Sequence, residues 1–466
     1  MKKIFRTAIW VLLGLAALLL LALLATLTTV DRTPYGETAH YRQSRAMLDS
    51  MALDAAAATG PYLRAGWARR SLLPSMRLPL AGYGAREGQL MQGVKDSIFV
   101  RAVVLDNGNS RVGMLTADLL IIPVQVSRAL DTALHSVGLS MDRLYLSATH
   151  THGSIGGWDP SPVGEMFAGA YHQQVVQMIV QRMLEALQAA MENMQAVKVG
   201  FGQVDAGEFV YNRLVGAKGI TDPWLRMMVL EREDSSRAVW LSFAAHATTL
   251  PDEEMRIHAD YPGRLIQLLE ARPDVDFAAF AAGAVGSHGP GGKGLSGQKK
   301  LELIASGLAE RAAAVLDTLH TRPTTSLYML RLPLMLGEPQ LRISHSLRLR
   351  PWVFRYLAGQ YPAYLLALKV GNGILLGTPC DFSGELVPEL HADNHFLMPT
   401  SFNGGYVGYI TADKWYELDT YETRTMNWFG PGNGAYFVEI MNGMAAKLSS
   451  LPQHEQAPSE RRLSDR

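Results

Sequence analysis

Ser147-Ala-Thr-His-Thr-His-Gly-Ser-Ile-Gly-Gly-Trp158 closes an apolar run, 144–149, that reads as a strand. Side chains at i and i+2 of a strand share a face. His150 and His152 can therefore reach one ion, or one can ligate while its neighbour works on a substrate. Gly153, Gly156 and Gly157 let the backbone turn sharply beside them. Upstream, 101–106 and 112–118 read as strands joined by the hairpin signal Asn-Gly-Asn, and 125–137 as the helix between them and the His-bearing strand. Downstream, 171–194 has the apolar spacing of a long helix.

The same alternation continues without repeats. A strand at 197–201 is followed by a hairpin of 226–233 with 238–245 across Asp-Ser-Ser. Helices follow at 262–270, opening with Pro, and at 299–319. A last hairpin joins 366–370 to 374–376 across Gly-Asn-Gly. So many hairpins exclude a purely parallel sheet. The expected class is α/β, with mixed β-sheets layered with helices in one large domain over residues 61–450.

The chain has 466 residues, with 43 Lys+Arg against 43 Asp+Glu, a balance that argues against a nucleic-acid partner. Its one cysteine, Cys380, excludes an intrachain disulfide and a Cys-based zinc knuckle. Only 18% of residues are charged, below the ~25% usual in soluble domains. The apolar excess lies partly between Thr7 and Val30, which hold no charge. That length suits a ~30 Å hydrocarbon core, and Lys2, Lys3 and Arg6 before it favour a cytoplasmic start. Residues 1–30 are thus expected as a signal anchor, the alternative being a cleaved signal and a secreted body. Residues 31–60 read as a stalk with a short helix near 41–55, and 451–466 as a disordered tail. A lone thiol in an exported body is expected to be buried and inert.

Two further strand-end polar residues accompany the histidine pair. His246 closes Leu241-Ser-Phe-Ala-Ala-His246, and Asp381 closes Leu375-Leu-Gly-Thr-Pro-Cys-Asp381. Taken singly, His246 suits a backbone-bonded structural imidazole, and Asp381 a helix N-cap, which Ser383 could also fill. Taken together, three such residues are better explained as convergent ligands of one zinc ion.

The blocks resemble, in order, the catalytic domain of the neutral (non-lysosomal) ceramidases, hydrolases of the amide of N-acylsphingosine. They are the opening strand Leu63-Arg-Ala-Gly-Trp-Ala-Arg-Arg-Ser-Leu-Leu-Pro74, the turn Ala81-Gly-Tyr-Gly84, and the signature Thr149-His-Thr-His152. Asn212-Arg213, Phe243-Ala-Ala-His246, Tyr406-Val-Gly-Tyr409-Ile-Thr and Tyr421-Glu422…Phe429-Gly-Pro431 follow. Carried over residue by residue, the resemblance implies His150, His246, Asp381 and Tyr409 as ligands of one zinc ion per chain. It implies His152 as a histidine that supports the ligands or acts as general acid–base, and Arg213 and Tyr421 facing the substrate carbonyl.

Three departures are visible. Asp381 stands where the family usually has Glu. The family's Gly-(Asp/Asn)-x-Ser-Pro block is here Ala282-Gly-Ala-Val-Gly-Ser-His-Gly-Pro290. This puts Gly286 under the family serine, and Ser287 replaces it only in a shifted register. Too few residues follow Tyr409 for the β-sandwich domain of longer ceramidases. The expected function is zinc-dependent hydrolysis of ceramide or a related N-acyl lipid by an activated hydroxide, with the membrane-tethered body extracytoplasmic. The alternatives are a metal-dependent amidase or esterase acting on another envelope lipid, and a non-catalytic, membrane-tethered binding protein.

Overall fold

A computed structural model describes residues 2–359 and 362–452. The hairpin across Asn-Gly-Asn forms, pairing Phe99–Asp106 with Arg111–Ala117, and Leu144–Ala148 adds parallel to the second strand. These three edge a nine-stranded mixed sheet that continues through Arg64–Ser71, Gln195–Asp205, Trp224–Arg232, Arg237–Phe243 and Val275–Ala282, with Arg322–Pro323 paired to the side of Gln195–Asp205. The Asp-Ser-Ser hairpin is the antiparallel pair Trp224–Arg232 and Arg237–Phe243, as read. The sheet curls until its halves touch: the Thr116 hydroxyl donates to the Phe280 carbonyl at 2.6 Å, and Arg101 to the Ala278 carbonyl at 3.0 Å.

A second, four-stranded sheet orders Leu327–Leu334, Ala363–Val370, Gly373–Gly377 and Phe396–Thr400. Its apolar face meets the large sheet through residues such as Met329, Leu368 and Leu375 against Met114, Tyr145 and Trp240. Helices Val124–Ala133 and Gln173–Glu192 cover one half of the large sheet's other face, and Asp260–Glu270 and Gly297–Leu316 the other half. Helices Ala39–Ser50 and Asn433–Ser449 cover the small sheet. The result is a four-layered sandwich in which strands near the middle are buried on both faces, which explains their unbroken apolar runs. The mixed α/β class and the layering are as expected. Cys380 is buried between layers, where desolvation holds its thiol well above the ordinary range.

Lys2–Thr26 is one helix, and its stretch Lys3–Thr26 is long and apolar enough to cross a membrane. The span ends at Thr26 rather than at residue 30, because Leu27–Thr29 leaves the helix to pair antiparallel with Leu347–Leu349. Residues 31–60 correct the expected stalk: they belong to the body. Leu48 and Ala58 are buried in the core under the small sheet. The Tyr35 and Tyr41 hydroxyls reach Glu439 at 3.0 and 2.6 Å, and that of Tyr436 reaches Ser44 at 2.7 Å. The alanine-rich composition concealed this, since one leucine and a few tyrosines make the contact. Of the expected tail, 453–466 lie outside the described residues, whereas Leu451 is buried.

Truncating Leu48 to Ala is expected to destabilise the body by about 2–5 kcal/mol, read as a lower denaturation midpoint; a stalk residue would leave it unmoved. A second outcome concerns pH. Burial pushes the Asp118 carboxyl up to about 6, against the pull of Arg101. The folded state therefore holds this proton more tightly than the unfolded chain, whose carboxylate titrates near 3.9. Its contribution is present below about pH 4 and lost as pH rises through 6. Asp118→Asn should flatten the decline in stability over that window, measured by urea unfolding at a series of pH values.

Candidate metal centre

His150 lies two residues beyond the strand Leu144–Ala148, His246 three beyond Arg237–Phe243, and Asp381 four beyond Gly373–Gly377. Asp381 and Tyr409 are paired neighbours in a short parallel ladder. These four converge, and each arrives by a specific device. His150 takes a left-handed backbone, φ +60°, a conformation that non-glycine residues keep only when their surroundings over-determine it. Its ring stacks flat on Phe402, centroids 4.0 Å apart, and Phe402 is itself left-handed at φ +63°. Gly156 lets the loop pass against helix Pro162–Ala168, since a Cβ there would lie 2.0 Å from the Ala168 carbonyl oxygen.

Hydrogen bonds decide which nitrogen faces inward. The His150 Nδ1 lies 2.7 Å from the Leu120 carbonyl, and the His246 Nδ1 lies 2.9 and 3.1 Å from those of Val285 and His288. A carbonyl can only accept, so both Nδ1 atoms carry the proton and both Nε2 lone pairs point to the centre. This is the arrangement by which backbone partners orient metal-binding histidines. Burial pushes the His150 imidazole down to about 3 against the pull of Asp381, and holds His246 and His152 well below their usual range. The rings are neutral, the state that ligation requires.

Asp381 completes the set. Ser383, not Asp381, caps the turn that follows, accepting from Glu385 N at 3.3 Å. The carboxylate is fully buried; its Oδ2 accepts from Tyr406 at 2.7 Å, while Oδ1 has no hydrogen-bond donor. That Oδ1 lies 3.3 Å from His246 Nε2 and 3.6 Å from His150 Nε2. The Tyr409 hydroxyl accepts from Arg213 at 2.9 Å and stands 3.3 Å from His246 Nε2. Donor atoms of His150, His152 and His246 lie within 4.8 Å of one another. The inward Nε2 atoms have only long contacts, His246 with Arg213 at 3.4 Å and Tyr409 at 3.3 Å, and together with an orphaned carboxylate oxygen they fit a divalent cation better than they fit each other.

The remaining residues separate by role. The His152 Nε2 is 3.4 Å from His150 Nε2, but its buried Nδ1 has no partner, so no backbone group fixes this ring. Arg213 is held by Glu422 at 3.1 Å; burial pulls its guanidinium down, and Tyr409, Glu422 and Asp381 more than reverse this. Tyr421 is partly exposed at the mouth, its ring edge-on to Tyr409 at 5.8 Å. Ser287 does not join them. Its buried hydroxyl bonds to His288 Nδ1 at 2.7 Å and Ser383 Oγ at 2.8 Å. No side chain fits at Gly286, where a Cβ would lie 2.4 Å from the Asp381 carbonyl oxygen.

Sequence reasoning missed Tyr406, Phe402 and Glu422 as supports. Tyr406 and Glu422 left a signal, as the neighbours of Tyr409 and Tyr421 in the quoted blocks, and Phe402 left none. The centre opens into a cavity of about 80 Å³ walled by Leu120, Ile121, Trp158, Val163, Phe167 and Trp428 among others.

Residues 74–295 match the family described as neutral/alkaline non-lysosomal ceramidase, N-terminal. The matched stretch, which includes His150, His152, Arg213 and His246, is similar to that family, in line with the resemblance read from the sequence. The fold is similar to that of neutral ceramidase from Pseudomonas aeruginosa, with TM-score 0.71 and 17% identity, over 86% of this chain and 76% of that one. It is likewise similar to a ceramidase complexed with C2, with TM-score 0.72 and 16% identity, over 86% and 77% of the two chains.

Removing the Tyr406 hydroxyl leaves Asp381 Oδ2 buried without its donor. Tyr406→Phe should therefore weaken metal binding on the order of 10–100-fold, read by competition against a chromophoric chelator, with the fold intact by circular dichroism.

Proposed function

We propose that this chain is an amide hydrolase that cleaves ceramide or a related N-acyl lipid to fatty acid and amine, with one zinc ion as cofactor. The single observation that carries this is the convergence of two backbone-oriented Nε2 atoms, an unpartnered carboxylate oxygen and an Arg-bonded phenol beside an apolar cavity. On this reading His150, His246, Asp381 and Tyr409 hold the ion, which when bound lowers the pKa of water and polarises a carbonyl. The protein supplies the rest.

Arg213 keeps a full positive charge behind Tyr409 and, with Tyr421 at the mouth, offers donors to the carbonyl oxygen as charge develops on it. His152 differs from the two ligand histidines because no backbone carbonyl locks its tautomer. It takes a proton from the attacking water at Nε2 and delivers it to the amine nitrogen as the C–N bond breaks. The acid and amine leave with the water's atoms divided between them. With Gly286 under the family serine and Ser287 turned away, water rather than a hydroxyl side chain attacks. The apolar wall excludes bulk water and suits a hydrocarbon chain better than a polar amide. Family kinship and the complete ligand set both favour catalysis over silent binding.

The test is turnover of short-chain ceramides by the full chain in detergent, with and without chelator, alongside metal analysis by plasma emission. His150→Ala should lose both bound metal and turnover, whereas His152→Ala should keep the metal and lose at least about 100-fold in rate. A fully active, metal-free His150→Ala protein would sink the scheme. Turnover of esters but no amide would replace it with the esterase reading.

A further inference from the structure

The end of the apolar helix is not left to solvent. Its last-turn carbonyls, which have no partner within the helix, accept from the body: Leu24 from Arg350 Nε at 3.0 Å, Ala25 from Trp352 Nε1 at 3.0 Å, and Thr26 from the Arg350 amide at 2.7 Å. The strand pair Leu27–Thr29 with Leu347–Leu349 continues the joint. A helix of this length, at 1.5 Å per residue, slightly exceeds a ~30 Å hydrocarbon core, so its end falls at the membrane–water boundary.

The segment that clasps this end has the composition of an interfacial element. Residues 339–358 contain no Asp or Glu but four arginines, of which Arg342 and Arg355 pair with Glu417 and Glu338 outside the segment, leaving Arg348 and Arg350 beside the helix end. Ile343 and Leu347 are exposed, as are Trp352 at 55% and Tyr356 at 74%. Trp352 and Tyr356 sit four residues apart on helix Pro351–Ala358, hence on one face. Its other face is anchored by Phe354, which packs edge-on to Trp428 at 5.4 Å. Exposed Trp and Tyr level with the end of a spanning helix, among arginines, match the aromatic belt and the headgroup layer in both polarity and charge. The same short helix walls the catalytic side. Ala358 lines the catalytic cavity, and Phe354, Arg355 and Ala358 line an adjoining groove of about 490 Å³ that shares Tyr406 and Trp428 with it.

We propose that residues 343–358 form a membrane-interface element that seats Trp352 and Tyr356 among lipid headgroups and turns the catalytic cavity toward the bilayer. A lipid substrate then reaches the metal centre from the leaflet along the inner face of this helix rather than through water. The proposal rests on the lipid-hydrolase reading and on retention of the helix.

Full-length protein in phosphatidylcholine–phosphatidylglycerol vesicles tests it without using activity. An environment-sensitive dye on Tyr356→Cys should show blue-shifted emission and quenching by lipids spin-labelled near the headgroup. The same dye on Leu303→Cys, on a helix over the large sheet, should report water; Cys380 is buried and stays unlabelled. Water-like emission at position 356 overturns the proposal, as does an intact mass showing that the mature chain lacks residues 2–26. In a second arm, Trp352→Ser/Tyr356→Ser should lose roughly tenfold in turnover of vesicle-embedded N-acyl lipid but keep turnover of a short-chain soluble analogue. Equal loss on both overturns it. Absence of any turnover by the unsubstituted protein refutes the hydrolase reading alone, and the dye result still decides this one.

Discussion

A carboxylate oxygen buried without a donor costs more than almost any other single atom in a protein interior, unless a cation meets it. Asp381 Oδ1 is such an oxygen, and much of the molecule is arranged around it. Tyr406 satisfies its sister atom, and Ser383 relieves it of capping duty. Two imidazoles from the large sheet turn unprotonated nitrogens toward it, while their protonated nitrogens are held by backbone carbonyls from other segments. Neither sheet could assemble this alone. The close packing of the four-stranded sheet on the curled nine-stranded one brings Asp381 and Tyr409 against His150 and His246. Fold stability and site geometry are thus one problem, because the interface between the sheets is also the floor of the centre.

What could be read from the sequence follows from what is local. Hairpins announced by Asn-Gly-Asn, Asp-Ser-Ser and Gly-Asn-Gly formed where expected, because turn chemistry is decided within a few residues. The candidates stood out because each polar residue closely follows an apolar strand, a local contrast. Residues 31–60 were misread because their burial depends on partners such as Tyr436 and Glu439, some 400 positions away. Phe402 was invisible for the same reason. Its stacking on His150 exists only once two left-handed residues from different sheets meet.

The loop of Gly286 and Ser287 shows how packing settles what a side chain can do. At Gly286 the backbone of Asp381 fills the space a side chain would need. Ser287 has joined a chain of hydroxyl and imidazole bonds through Ser383 and His288 that braces the loop carrying the His246 acceptors. The Ser287 hydroxyl is thus spent on bracing the loop behind His246.

The joint at Leu27–Thr29 has one more implication. A body tied to its helix by a strand pair and three capped carbonyls, rather than by a loose tether, has no freedom to tumble about that connection. With that helix held in a bilayer and a lipid as substrate, as proposed, encounters become collisions in a plane, paced by lateral diffusion. The quantity that would then saturate the protein is the mole fraction of substrate in the leaflet, and diluting that leaflet with inert lipid would slow it even with the total amount in the vessel unchanged.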